Sequence, residues 1–285
     1  MMQRYKIIHH TYYNFSADVW LEPHALRLRP REGHELHIES STLEINPPAT
    51  LLWHRDVEGN SVATATFDIP ANQLAIKSEV ILQQFNENPF NFLVSDYAID
   101  YPFNYEPDDR ILLSPYMEPA AGGSRDLLIE WMTNVWQPGY LIQTYTLLQR
   151  VCIYIHETLS YRLREEPGVQ TPEQTLSCGT GSCRDFAMLF MEVARCLGMA
   201  SRFVSGYLYE PALADNPGTT HAWAEVYLPG AGWKGFDPTI GAIAGADHFA
   251  VAMARLPESV PPVAGTYVGP PGSHLDVGVW VTRYP

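Results

Sequence analysis

The residues best suited to chemistry lie in three short blocks. The first, Gly179-Thr-Gly-Ser-Cys183-Arg-Asp185-Phe-Ala, sets two glycines and a serine ahead of a cysteine that opens a largely apolar stretch. Such a turn delivers Cys183 to the first turn of a helix, where the positive end of the dipole and the unpaired N–H groups stabilise a thiolate. The same N–H groups can donate to the oxyanion of a tetrahedral intermediate. A thiol nucleophile needs an imidazole to take its proton and a carboxylate or amide to orient that ring. His221-Ala-Trp-Ala-Glu-Val-Tyr and Trp233-Lys-Gly-Phe-Asp237-Pro-Thr supply both. Taken singly, His221 reads as a surface or satisfied core histidine, and Asp237, before Pro238, as a turn residue. Their setting is what makes them a pair.

That setting is a hairpin. His221 begins one expected strand and Asp237 ends the next, and Leu228-Pro-Gly-Ala-Gly232 joins them, so an antiparallel pairing brings the two residues together. The nucleophile helix is expected from Cys183 through Phe186, Leu189, Phe190, Val193 and Leu197, with Gly198 to end it. Two helices precede it. One is capped by Ser124 and shows Leu127, Leu128, Trp131 and Val135 on one face before Pro138-Gly139; the other carries Leu147, Leu148, Val151, Ile155 and Leu159. Strands resume at Arg202-Phe-Val-Ser-Gly-Tyr-Leu-Tyr, and Val277-Gly-Val-Trp-Val reads as another, so this half is α+β.

From Arg4 to about Phe85 the pattern has period two, as in Leu26-Arg-Leu-Arg, Leu36-His-Ile-Glu and Leu74-Ala-Ile-Lys-Ser-Glu-Val-Ile-Leu. Pro47-Pro48 and Glu58-Gly59-Asn60 mark turns, which predicts an all-β unit over residues 1–85. Residues 86–123, rich in Pro, Tyr, Asn and Asp, read as an irregular connector. Residues 124–285 then form the catalytic unit.

The blocks around Cys183, His221 and Asp237, with Arg202-Phe-Val-Ser-Gly-Tyr between the first and second, resemble the core of the bacterial transglutaminase-like superfamily in the same order. The strands from Tyr5-Lys-Ile-Ile-His-His-Thr-Tyr onward resemble the β-rich region that precedes that core. The resemblance implies a papain-like, transglutaminase-like core in which the nucleophile heads a helix packed on an antiparallel sheet. Cys183 would be the nucleophile, His221 the base and Asp237 its orienter, with no cofactor. It implies thiolate attack on a peptide or protein amide, amine release, and resolution of the thioester by water or by a second amine. Both outcomes use one triad; hydrolysis is favoured because water needs no dedicated site. A pathway partner of the ATP-grasp type is implied by association alone.

Neighbouring residues receive other roles. Asp185 is expected to make a structural hydrogen bond away from the thiol, and Arg184 to pair with an acid. Tyr161, ahead of the nucleophile loop, is a candidate second oxyanion donor. Cys178 stands five residues before Cys183, unlike the close pairs of redox or zinc sites. His9-His10, His34 and His37 lack the cysteine or carboxylate set that completes a metal site, so no metal is expected. A non-catalytic peptide-binding domain and a redox-sensing thiol remain as alternatives.

Composition narrows the partners. A net charge of −14, with 32 acidic against 18 basic residues and no basic stripe, argues against nucleic acid and anionic membranes. No run approaches the ~20 apolar residues of a membrane span. Four cysteines in 285 residues do not make a disulfide framework, and the first residues lack the apolar stretch of a signal peptide; a cytoplasmic location is expected.

Overall fold

In chain order the strands of the N-terminal half are β1 (Gln3–Leu21), β2 (His24–Leu26), β3 (Leu36–Asn46), β4 (Ala49–Arg55), β5 (Ser61–Phe67) and β6 (Ala71–Gln84). There follow β7 (Asp100–Tyr101), α1 (Pro107–Met117), α2 (Arg125–Met132), β8 (Ile142–Gln143), α3 (Thr144–Thr158), β9 (Ser160–Tyr161), α4 (Pro172–Cys178), β10 (Thr180–Gly181) and α5 (Cys183–Cys196). The chain ends in β11 (Ser201–Leu208), β12 (His221–Leu228), β13 (Gly232–Asp237), β14 (Ala242–Ile243), β15 (His248–Ala254), β16 (Val263–Ala264), β17 (Tyr267–Val268) and β18 (Ser273–Arg283). This computed structural model describes residues 3–85, 88–120, 125–164, 166–211 and 217–285.

Period-two patterning gives the N-terminal strands one buried face: β1 buries Tyr5, Ile7, His9 and Thr11 and leaves the residues between them half-covered. Two sheets result, one of order β17-β1-β6-β3 with β18 also on β1, the other β16-β2-β5-β4. Val19, Leu21, Leu26, Ala63, Ala65, Leu74 and Ile76 form a core of their own. The remaining inward residues, Tyr5, Ile7, Ile38, Val80 and Leu82, join the main core with Leu147, Val151, Phe186, Phe190 and Phe236. One apolar interior therefore runs from the β-rich half into the helical half, and the fold is α+β.

In the second half an antiparallel sheet of order β14-β13-β12-β11-β15 packs against α5, which is buried from Asp185 through Arg195. Even its charges are inside. Arg195 and Glu192 pair at 2.7 Å, and Arg195 also donates to the carbonyls of Tyr116, Ser201 and Arg255, which fixes the helix at its far end. Gly198, at φ +78°, takes the left-handed position just past that end.

Several elements differ from the sequence-based expectation. Residues 100–117 of the expected connector contain β7 and α1; Pro115 and a single buried residue, Leu113, leave α1 without an apolar period. The sign available was Pro107 at the first helical position followed by Asp108 and Asp109. The helix expected to reach Val135 stops at Met132, because Thr133 Oγ1 and Asn134 Nδ2 take the carbonyls of Glu130 and Trp131. Its expected cap, Ser124, lies outside the described residues. The strand expected over Leu26–Arg29 ends at Leu26, where the Arg27 N–H turns to Pro262 O.

The last strands depart furthest. Expected within the unit 124–285, β16, β17 and β18 lie instead in the two N-terminal sheets, with β18 antiparallel to β1 from Tyr5↔Arg283 to Phe15↔Ser273. Alternation in Val277–Val281 reports a half-buried strand but carries no information on its partner. Beyond the pairing, Val279 exchanges both backbone hydrogen bonds with Gly218, at 2.8 and 3.0 Å, just before His221. The C-terminal strand thus clamps the lead-in to β12, the strand that begins with His221.

Replacing buried Val279 and Val281 together by alanine removes four methyl-sized groups and should cost about 3 kcal/mol, plus a cavity term. Urea unfolding measures it; a loss under about 1 kcal/mol would mean that β18 merely lies against β1.

Candidate active site

The nucleophile loop is built by two helix ends. Thr171-Pro-Glu-Gln174 caps α4 with a reciprocal capping box, and Gly179, at φ +65°, closes its C-terminus. Here the sequence reading missed a helix whose start signal was present. The chain then makes β10, which runs parallel to β9 with Gly181 opposite Tyr161 and the Arg162 N–H on Gly181 O. A Cβ on Gly181 would stand 3.0 Å from both Asp185 Cβ and Phe186 Cε1, so the loop packs tightly on the helix it feeds.

Ser182 caps α5, which puts Cys183, half-buried, at the first helical position. Asp185 completes the capping box: its Oδ2 accepts from Ser182 N at 2.8 Å and Ser182 Oγ at 2.7 Å. Its Oδ1 accepts from Arg164 Nη1 at 2.7 Å and Gln170 N at 2.8 Å. Burial would raise this carboxyl, but the hydrogen bonds hold it below its ordinary value. Asp185 therefore ties the preceding loop to the helix and is spent on that task. Arg184 differs from expectation: it donates to the carbonyls of Arg164 and Glu166 rather than to an acid.

The hairpin of β12 and β13 forms in the expected register, with Leu228 opposite Gly232 and Ala224 opposite Phe236. His221 Nε2 meets Asp237 Oδ2 at 2.6 Å. Asp237 is fully buried, and its Oδ1 accepts from Thr239 N at 2.9 Å across Pro238. From α3, His156 Nδ1 donates to Thr239 O at 2.8 Å, and the Cys152 thiol to Ala242 O at 3.6 Å, which backs the turn that carries Asp237. Cys152 packs, as expected.

Burial opposes charge on His221, yet the carboxylate of Asp237 and a hydrogen bond with the Cys183 side chain raise the imidazole to about 10. Because Nε2 is taken by Asp237, Nδ1 is the ring nitrogen left for the thiol. Burial likewise opposes charge on Asp237, and His221, with a second donor from His248, holds the carboxyl well below the usual range. Tyr161, half-exposed beside Cys183, is raised by burial and by the thiol's charge. The structure thus brings together Cys183, His221, Asp237 and Tyr161.

Two residues at the site lay outside the sequence reading of roles. Trp223, buried, lies 6.2 Å from the His221 ring and 5.1 Å, edge-on, from His248. A Cβ on Gly206 would come within 2.6 Å of its Cη2 and 2.4 Å of Phe249 O, and a Cβ on Gly235 within 3.2 Å of its Nε1. Glycines on both neighbouring strands thus make room for the indole. His248 donates from Nε2 to Asp237 Oδ2 at 3.0 Å. No spacing rule points to it. Of the histidines first weighed for metal, His9 is buried between Tyr207 and Thr11, and exposed His37 lies beside Glu32. Among the described residues the group with metal-ligand types in reach is His221, Asp237 and His248.

Residues 5–83 match the model of the bacterial transglutaminase-like N-terminal region, and residues 142–238 that of the transglutaminase-like superfamily. The chain belongs to the transglutaminase-like superfamily. The superfamily match spans all three blocks read from the sequence. A Cytophaga hutchinsonii crystal structure described as a candidate cysteine protease aligns over 100% of this chain and 92% of its own, at 16% identity and a TM-score of 0.75, which shows the fold. An uncharacterized protein of Mycobacterium leprae is 23% identical over 99% of each chain, and one of Mycobacterium bovis 26% identical over 99% of this chain and 93% of its own.

Gly206→Ala should displace Trp223 and cost about 1–3 kcal/mol, the usual penalty of overpacking. Thermal unfolding tests this, and an unchanged midpoint would show the indole to be loosely held.

The ion pair also fixes a pH dependence. Asp237, held low when folded, contributes stability that is present above its unfolded value near 4 and lost as pH falls through the folded value. His221, raised from 6.5 to about 10, contributes fully below 6.5 and loses its contribution as pH rises through 10. The difference in thermal midpoint between wild type and His221→Ala should therefore be greatest near pH 4–6.5 and shrink toward pH 10. A difference constant from pH 5 to 10 would contradict a charged His221.

Proposed function

We propose that this chain is a cysteine-dependent amide hydrolase or acyltransferase that works through a thioester on Cys183, with peptide or protein amides as substrates and hydrolysis as the favoured outcome. Membership of the superfamily supports a cysteine enzyme. The observation that carries the reading is the convergence of a cysteine at the head of α5 with a histidine whose other nitrogen is bound to a buried carboxylate.

In this reading His221 Nδ1 already holds the thiol proton in the charged pair, and the Cys183 thiolate attacks the carbonyl carbon. Negative charge moves onto the carbonyl oxygen, where N–H groups of the first turn of α5, outside the helical ladder, can donate to it. Tyr161, beside Cys183, is a candidate for a further donor. As the tetrahedral intermediate collapses, the C–N bond breaks and His221 returns the proton to the departing amine. Water, deprotonated in turn by His221, then attacks the thioester, releasing acid and thiol; a primary amine in its place gives a substituted amide. Asp237 stays ionised throughout and stabilises the imidazolium.

A set of peptide amides, incubated with and without a primary amine and assayed for released ammonia or amine, tests the reaction. The wild type should turn over, added amine should divert product from acid to substituted amide, and Cys183→Ala should abolish both. Asp237→Asn should slow turnover by roughly 10- to 10⁴-fold, and Asp237→Ala further, without loss of fold. Undiminished turnover by Cys183→Ala would remove the nucleophile assignment.

A further inference from the structure

We infer that His248 is a fourth working member of this site, a positioning residue that holds Asp237 on line with His221; this rests on the reading of Cys183, His221 and Asp237 as the reacting set. A buried carboxylate stays ionised only if donors replace the water it has lost. Thr239 N fills Oδ1 at 2.9 Å, and Oδ2 receives two imidazoles, His221 Nε2 at 2.6 Å and His248 Nε2 at 3.0 Å. The two rings reach that oxygen from different parts of the sheet. His221 opens β12, next to the strand of Asp237, whereas His248 opens β15, beyond β11. The His248 bond thus ties strands that are not neighbours to a single oxygen, which fixes the direction in which Asp237 faces His221.

The tautomer of His248 follows from its other nitrogen. The Gly245 N–H donates to Nδ1 at 3.2 Å, so Nδ1 carries the lone pair and Nε2 the hydrogen. Gly245 is itself held, since its carbonyl accepts from His248 N at 3.0 Å. Trp223 packs edge-on against the ring, and only 6% of the side chain is exposed, so the imidazole is not free to swing out. His248 is therefore held as an Nε2–H donor to Asp237. It moves no proton in the reaction; it keeps the carboxylate aimed while the charge on His221 changes.

The same three ligand atoms invite a metal, and their spacing answers. Two ligands on one tetrahedral zinc at ~2.0–2.1 Å from the ion stand about 3.3 Å apart. His221 Nε2 and Asp237 Oδ2 are at 2.6 Å, the length of a charge-assisted hydrogen bond.

A pair of amide substitutions separates positioning from packing. Gln at 248 sets an amide nitrogen near the place of Nε2 and can still donate to Asp237. Asn reaches only as far as Nδ1, so it keeps the Gly245 contact and loses Asp237. The rate of Cys183 alkylation by iodoacetamide at pH 7, located by mass spectrometry, reads the thiol–imidazole pair without a known substrate. His248→Asn should slow it by about 10- to 100-fold, as expected for loss of a hydrogen bond to a charged group, and His248→Gln by no more than about threefold. The far-downfield proton resonance of the His221–Asp237 bond should survive in Gln and shift or vanish in Asn. Equal rates in the two variants, or a change confined to the thermal midpoint, would reduce His248 to packing. The reacting set is tested apart: if wild-type Cys183 alkylates no faster than the exposed Cys178, or Asp237→Ala leaves its rate unchanged, that reading fails first.

Discussion

A carboxylate with no access to water governs this molecule. Asp237 is placed at the end of β13 with its side chain inside the protein, where an unpaired charge would cost several kcal/mol. Everything around it answers that cost. The turn over Pro238 supplies a backbone donor, β12 supplies His221, and the start of β15 supplies His248. Helix α3 backs the turn through His156 and Cys152. The sheet has its register and its glycines for packing reasons, and those same choices decide how many donors reach one oxygen.

A second buried carboxylate plays the matching part on the nucleophile side. Asp185 gathers the Ser182 cap, Arg164 and the Gln170 backbone, so the loop from β9 to α4 and the head of α5 are one piece. Its hydrogen bonds leave it no oxygen free to face the thiol. Two charges of the same sign therefore sit near one cysteine with different consequences, because one is satisfied by the loop and the other is presented to His221. The geometry around Cys183 and His221 is a matter of which donors each carboxylate has been given.

How far the sequence revealed this depended on how local each signal was. The turn before Cys183, the helix to Cys196 and the β12–β13 hairpin are each specified within about 15 residues, and their patterns were legible. Local signals were also overlooked, as with Pro107 at the start of α1 and the Thr171–Gln174 box at the start of α4. By contrast, nothing near residue 248 announces a partner at Asp237, since the approach is made by strands separated in the sheet. The partner of Val277–Val281 was hidden for the same reason: alternation fixes a buried face, whereas strand order is settled only when all faces compete for cover.

The pairing of β18 with β1 carries a consequence for how the protein comes into being. Between Gln84, which ends β6, and Arg283 lie roughly 200 residues, which a ribosome adding ~5–20 residues per second needs about 10–40 s to make. Throughout that interval one edge of β1 has no partner, and the lead-in at Gly218 has nothing to bridge to. Cys183, His221 and Asp237 all emerge before the strand that braces the approach to His221. A chain stopped short of β18 would carry Cys183, His221 and Asp237 and lack the strand that bridges to Gly218.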